Sequence, residues 1–381
     1  MNKMSQDFLA SSTAIPDRTV RDAVFDFLRA KGMTTIFGNP GSTELPMFVD
    51  LPKDFSYVLG LQESIALAMA DGHAQASRKP AFVNLHSSAG LGHAMGNLYT
   101  AFRNRTPLIV TTGQQTRDLL PFDPFLGNDA PVEFPKPYVK WAIEPARPED
   151  VPAAIARAYH MALQPPMGPV LISVPLSDWD KPCAPVVERE VDTVIAPNPA
   201  SLDKVAEAIN DAREPVIVVG AGVDIDGGWD AVVRLAETLQ AKVWVSPLSS
   251  RCSFPERHPL FAGFLPAHQP ALSRCFGNAD YVLVLGAPVF TYHFPGSGGH
   301  LPAGAKLCQI SDDPKQVAAA AVGTALVANT RLAAEGLLAR VKRRPQRAEP
   351  ARVIRRVPVT KPISQALLMQ TLADVRSPDS I

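Results

Sequence analysis

The chain has 381 residues, 46% of them hydrophobic, and 37 Lys+Arg balance 37 Asp+Glu for a formal net charge of zero. That length supports two or three domains with substantial cores, and the charge balance gives no electrostatic basis for a nucleic-acid or membrane partner. The four cysteines (Cys183, Cys252, Cys275, Cys308) form no C-x-x-C pair, which argues against structural zinc and for a reducing compartment.

Residues 1–18 read as a flexible tail without the apolar run of a secretory leader, and no stretch reaches the ~18 apolar residues of a membrane span. A cytoplasmic protein is expected. Thr19 to Lys31 is periodic as a helix, with Val20, Val24, Phe27 and Leu28 on one face and Gly32 suited to a left-handed cap. Thr34 to Phe37 follows as a strand, then the tight loop GNPGS (38–42) and a short helix from Thr43. Tyr57 to Leu61 is the next apolar run, with Glu63 just after it. A helix rich in alanine is expected over Ser64–Ser77. Ala81 to Leu85 is a strand leading through the loop HSSAG (86–90) into another helix. Leu108–Thr112 and Val170–Val174 are further buried strands.

The stretch from about 183 to 200 reads as a linker. A second α/β unit (201–340) begins with a helix over Leu202–Ala212, a strand over Val216–Val219 and the turn GAGVD (220–224). Tyr281–Leu285 and Leu307–Ile310 supply more strands. The sequence VIVVGAGVDI has two glycines of a dinucleotide fingerprint, but Ile225 stands where the third belongs. Residues 341–362, with the basic cluster Arg340, Lys342, Arg343 and Arg344, read as a solvated second linker. A helix over Ser364–Val375 then stands alone. Alternating short strands and helices imply parallel sheets covered on both faces, with ligand sites beyond the carboxyl ends of the strands. GNPGS, Gln62-Glu63 and His86 each follow a strand, so three candidate site loops converge on one sheet edge.

Three blocks then acquire a common meaning: FGNPGSTELP (37–46), LQESIALAMADGHAQASRKPAFVNLHSSAGLGHAMGN (61–97) and PLIVTTGQQT (107–116). They resemble the pyrimidine-binding domain of the thiamine-diphosphate-dependent enzymes. The stretches VKWAIEP (139–145), MGPVLISVPLSDWDKP (167–182) and LVLGAPVFTYH (283–293) resemble most the benzoylformate decarboxylase branch of that family. The resemblance implies two doubly wound parallel-sheet domains, a pyrimidine-binding domain over 19–182 and a central Rossmann-like domain over 201–340. It also implies that 363–381 opens a third, truncated diphosphate-binding domain. The implied reaction is non-oxidative decarboxylation of an aromatic 2-oxo acid such as benzoylformate, a step of aromatic catabolism. The working form would be a homodimer or homotetramer.

Within that resemblance Glu63 pairs with the cofactor's pyrimidine ring, Asn39, Pro40 and Gly41 adjoin the cofactor, and Ser42 contacts the substrate carboxylate. His86 and His293 move protons near neutral pH, and Phe125 and Leu126 face the substrate's aryl ring. Taken alone, each residue has a plainer explanation: a helix N-terminal acid for Glu63, an N-cap for Ser42, strand-end structural residues for the histidines. His93 and the remaining histidines read as structural or surface groups, and apolar neighbours Leu61 and Ile65 are expected to raise the Glu63 pKa. The family's GDG motif for magnesium occurs nowhere in these 381 residues, so the Mg2+ site is expected beyond Ile381, with no metal site in this chain. Two rival readings follow: an acetolactate-synthase-type carboligase, and an inactive fragment lacking the diphosphate half of the site.

Overall fold

The computed structural model describes residues 18–347 and 356–377. The expected tail over 1–17 and part of the second linker lie outside them. The described residues divide into two compact units and carry two six-stranded sheets.

The first unit opens with helix α1 (Val20–Ala30). Thr19 accepts the Asp22 N–H while the Asp22 carboxylate accepts the Thr19 N–H, a reciprocal cap that satisfies two otherwise unpaired donors. Gly32 takes a φ of +67°, the left-handed conformation expected of it. The strands are β1 (Thr35–Asn39), β2 (Ser56–Leu59), β3 (Ala81–Leu85), β4 (Leu108–Gln114), β5 (Ala142–Ile143) and β6 (Val170–Pro175). Their order is β2-β1-β3-β4-β6-β5, and every pairing is parallel.

Both faces of this sheet are buried, and the period of two along each strand shows it. Ile36, Phe82, Ile109 and Ile172 point into one core with Val24 and Leu28 of α1. Ile155 of α5 (Val151–Leu163) joins that core. Their strand neighbours Phe37, Val83, Val110 and Leu171 point into the other core. There they meet Leu67 of α3 (Glu63–Ser77), and Leu91 and Leu98 of α4 (Ser87–Asn104). Each such side chain contributes roughly 1.5–3 kcal/mol when fully buried. Between β1 and β2 lies the short helix α2 (Leu45–Phe48).

The second sheet contains β7 (Pro215–Val219), β8 (Lys242–Val245), β9 (Phe261–Phe264), β10 (Tyr281–Leu285), β11 (Lys306–Ser311) and β12 (Thr324–Val327), in the order β12-β11-β10-β7-β8-β9. The pairs from β10 through β9 are parallel. The helices of the second unit include α6 (Pro199–Asp211), α7 (Ala221–Ile225), α8 (Trp229–Leu239) and α9 (Gln269–Cys275); α10 (Pro314–Ala318), α11 (Thr330–Leu338) and α12 (Gln365–Val375) follow in the chain. The expected α/β class with two doubly wound sheets is observed.

Three local expectations are corrected. HSSAG is not a loop, because α4 begins at Ser87, directly after His86. GAGVD is a helical turn, α7, since only Gly220 is needed to leave the strand. Residues 341–347 are not free: the Arg344 guanidinium donates to the Ile209 and Ala212 carbonyls at 2.7 and 2.6 Å, capping the end of α6, where a cation is favoured. Among the described residues no helix is long and apolar enough to cross a membrane.

Candidate functional site

In the first sheet the chain runs from β1 outward to β2, then returns to place β3 on the other side of β1. Loops leaving β1 and β3 therefore diverge, and a crevice opens between them, the usual ligand position in such sheets. The residues at this switch point are Asn39, Pro40, Gly41 and Ser42 after β1, and His86 after β3.

Gly41 lies against the His86 ring. A Cβ on Gly41 would sit 2.2 Å from the ring's Nδ1, so only glycine lets the loop approach. His86 Nδ1 lies 2.8 Å from Oε2 of Glu44 and 3.2 Å from the Thr43 hydroxyl. Glu44 is 1% exposed. Its Oε2 accepts the Gly41 N–H at 2.8 Å, and its Oε1 accepts the Thr43 hydroxyl at 2.6 Å and the Ser87 N–H at 3.3 Å. Ser87 is buried with a φ of +47°, costly for a residue with a side chain. Such strain is of order 1–3 kcal/mol and clusters at functional sites. Burial, with the nearby Glu44 charge, pushes the Tyr57 phenol well above its ordinary value.

Glu63 opens α3, where the Gln62 side chain caps the helix by accepting the Ser64 N–H at 3.0 Å. Its carboxyl is buried, but Leu61 and Ile65 do not cover it: they are 88% and 50% exposed. The cover comes instead from α4. A Cβ on Gly90 would come within 2.9 Å of the Glu63 Cγ and Oε1, and His93 Nδ1 lies 3.0 Å from Oε2. His93, set aside as a surface group in the sequence, thus belongs to this site. It stands seven residues after His86, two turns beyond the cap of α4, a spacing that could have drawn attention to it.

Ser42 is exposed two residues from Glu44. Phe125 and Leu126 hang from the end of β4. The Gln115 amide donates to the Phe125 carbonyl at 2.8 Å, and the Gln114 side chain bonds both the Asn128 N–H and its carbonyl. Phe125 is 86% exposed, and Leu126 takes a φ of +63°. His293 belongs to the second unit. It lies well past the end of β10, exposed, held by its N–H to the Ala267 carbonyl at 2.8 Å and by an edge contact with Phe294. The first unit thus gathers Glu63, His86, Ser42 and Asn39–Gly41 along the adjacent ends of β2, β1 and β3.

A pyrimidine ring fits this arrangement on one observation. Glu63 is buried, with Oε2 engaged by His93, while Oε1 has no hydrogen-bond partner among the described residues and is free to accept a ring N–H.

Fold and site together define an α/β chain whose candidate ligand site lies at the carboxyl edge of a doubly wound sheet. Residues 18–130 match the family described as thiamine pyrophosphate enzyme, N-terminal TPP binding domain, and residues 202–337 match its central domain. Benzoylformate decarboxylase of Pseudomonas aeruginosa is 45% identical over 329 residues, 85% of this chain and 62% of that protein. An acetolactate synthase of Arthrospira platensis is 28% identical over 311 residues, 77% of this chain and 53% of that protein. The crystal structure of benzoylformate decarboxylase from Polynucleobacter necessarius superposes with a TM-score of 0.92 at 42% identity, covering 96% of this chain and 69% of that one. The chain belongs to the thiamine pyrophosphate enzymes, and it spans between about half and two thirds of the length of these curated relatives.

Proposed function

We propose that this chain supplies the pyrimidine-binding and central parts of a thiamine-diphosphate-dependent decarboxylase acting on an aromatic 2-oxo acid, with benzoylformate giving benzaldehyde and carbon dioxide. The observation that supports it most is that a buried acid, Glu63, after β2 and a strand-end histidine, His86, after β3 stand on the two strands that flank β1 at one edge of the sheet.

Thiamine diphosphate, when bound, supplies the nucleophilic carbon and the electron sink for decarboxylation. The protein's part is to bind, orient and move protons. Glu63 holds the pyrimidine ring by its free oxygen, with Asn39, Pro40 and Gly41 alongside. Ser42 orients the substrate carboxylate by its exposed hydroxyl, while Phe125 and Leu126 offer apolar surface to the aryl ring. His86 and His293 carry protons to and from the substrate oxygen and carbon, the work for which imidazole suits neutral pH. Mg2+ would be held with the diphosphate, and no GDG motif for it occurs in these 381 residues. A cytoplasmic homodimer or homotetramer completes the reading.

The test is an aldehyde-release assay with benzoylformate and pyruvate offered in parallel. The 381-residue chain alone is expected to show no turnover, and the chain completed by a diphosphate-binding part and loaded with thiamine diphosphate and Mg2+, the holoenzyme, to prefer benzoylformate. A holoenzyme that is yellow with bound flavin and condenses pyruvate to acetolactate would replace the decarboxylase with the carboligase.

A further inference from the structure

We propose that Glu44 is a positioning residue that fixes His86 in one tautomer, with the hydrogen on Nδ1 and Nε2 turned to the crevice as the working nitrogen. The role rests on the decarboxylase reading only for what Nε2 does; the tautomer follows from the contacts themselves.

Both oxygens of Glu44 are committed as acceptors. Oε2 receives the Gly41 N–H and Oε1 receives the Ser87 N–H, and neither backbone donor can turn away. As a carboxylate, Glu44 accepts at both oxygens and has no hydrogen to give. The Nδ1 atom of His86, 2.8 Å from Oε2, must therefore be the donor in that contact. Thr43 agrees: its hydroxyl hydrogen is spent on Oε1 at 2.6 Å, so its oxygen meets Nδ1 at 3.2 Å as a second acceptor. A neutral imidazole carries one N–H, so Nε2 is then the nitrogen with the free lone pair. Among the described residues Nε2 has no hydrogen-bond partner, and the His86 side chain is 20% exposed, open enough for a substrate to reach it. The ring cannot rotate away, because Gly41 lies flat against it.

An amide does this work less securely. In Glu44→Gln, whichever way the side-chain amide is placed, its NH2 group faces a backbone N–H, that of Gly41 or that of Ser87. With the NH2 on the Gly41 side it would also donate to Nδ1 and move the ring hydrogen to Nε2. An acid-to-amide change behind a catalytic histidine has cost about 10⁴-fold in rate through the wrong tautomer in another enzyme class.

The experiment is nitrogen-15 NMR of the histidine rings in mildly alkaline buffer, with the His86 signals assigned by their loss in His86→Gln. The expected result is a protonated Nδ1 in the parent and hydrogen shifted wholly or partly to Nε2 in Glu44→Gln. In the holoenzyme, kcat of Glu44→Gln should fall about 10²- to 10⁴-fold with KM changed only a few-fold. Glu44→Asp, which restores two acceptors, should recover the Nδ1 hydrogen and part of the rate. A protonated Nε2 in the parent overturns the proposal, and so does a Glu44→Gln holoenzyme with the parent's kcat. If Glu44→Gln does not fold, the parent spectrum decides by itself. If the tautomer is as expected but benzoylformate is not turned over, the Glu44–His86 pair stands and the decarboxylase reading falls.

Discussion

Both sheets have a switch point, and the two are filled differently. In the first unit the loops after β1 and β3 meet through side chains: Gly41 gives up its side chain so that the His86 ring fits, and Glu44 lies buried behind it. In the second unit the loops after β7 and β10 meet through backbone. The Gly222 N–H donates to the Gly286 carbonyl at 2.9 Å, and a Cβ on Gly222 would lie 2.6 Å from the Gly286 Cα. Glycine serves close approach in both places, but one approach admits an ionisable ring and the other closes main chain on main chain. Topology alone therefore locates a place where chemistry can be built; the side chains decide whether it is.

The comparison breaks first on the histidines. His86→Ala in the holoenzyme should lose about 10²- to 10⁴-fold in turnover of benzoylformate, the range of a positioned proton carrier. If the exposed His293 acts on the same substrate, His293→Ala should lose a similar factor at a different step of turnover, which rapid-quench analysis separates. A folded His86→Ala holoenzyme with the parent rate would remove the functional distinction between the two switch points. Glu63→Gln keeps the shape and loses the acid, and the rate of turnover should fall about 100-fold with the cofactor retained. Steady-state kinetics together with cofactor titration measures both.

The paired glycines sharpen the contrast further. Gly41→Ala should displace the His86 ring and lower turnover more than stability. Gly222→Ala should do the reverse, destabilising the second unit by about 1–3 kcal/mol through overpacking while the folded fraction keeps its rate. Denaturant unfolding and activity, measured on the same samples, distinguish them. Equal losses of rate from both substitutions would contradict the assignment.

The strands and the first site loops were legible because period, glycine and strand-end position announce themselves in one dimension. Ala81–Leu85 and Tyr281–Leu285 run between the residues expected, and Glu63 and His86 stand where the strand ends place them. Glu44 was not legible. It sits in the run STEL as an ordinary acid before a short helix, and only the return of β3 beside β1 buries it against His86 and Ser87. His93 was passed over for the same reason, since its partner Glu63 comes from a different helix. Helix α5 and the two-residue strand β5 were missed too. The helix is apolar nearly all round, and a strand of two residues offers no period to detect.

The smallest effect expected is a difference in how the two units respond to alkali. In the second unit Cys308 is fully buried on β11, and burial pushes its thiol from 9.0 up to about 11, with hydrogen bonds to Thr324 and Tyr281 acting the other way. The unfolded thiol loses its proton near 9.0 while the folded one keeps it, so the native state binds more protons across that window. The contribution is complete below 9.0 and is lost as pH rises toward about 11. In the first unit burial lowers the Lys140 ammonium from 10.5 to about 8, although the ammonium donates to the carbonyls of Met161, at 2.6 Å, and Gln164. Here the unfolded chain binds more protons between about 8 and 10.5, so this unit gains stability as pH rises. Hydrogen exchange resolved along the chain, followed across that alkaline range, should show protection rising around Lys140 and falling around Cys308. Cys308→Ala should flatten the slope in the second unit relative to the parent, and Lys140→Met the slope in the first; Tyr281, raised by burial first and then by its contact with Cys308, changes with the first substitution, so that comparison reports the Cys308–Tyr281 pair. Parallel slopes in the two units, unchanged by either substitution, would show that burial at these two positions does not govern their titration.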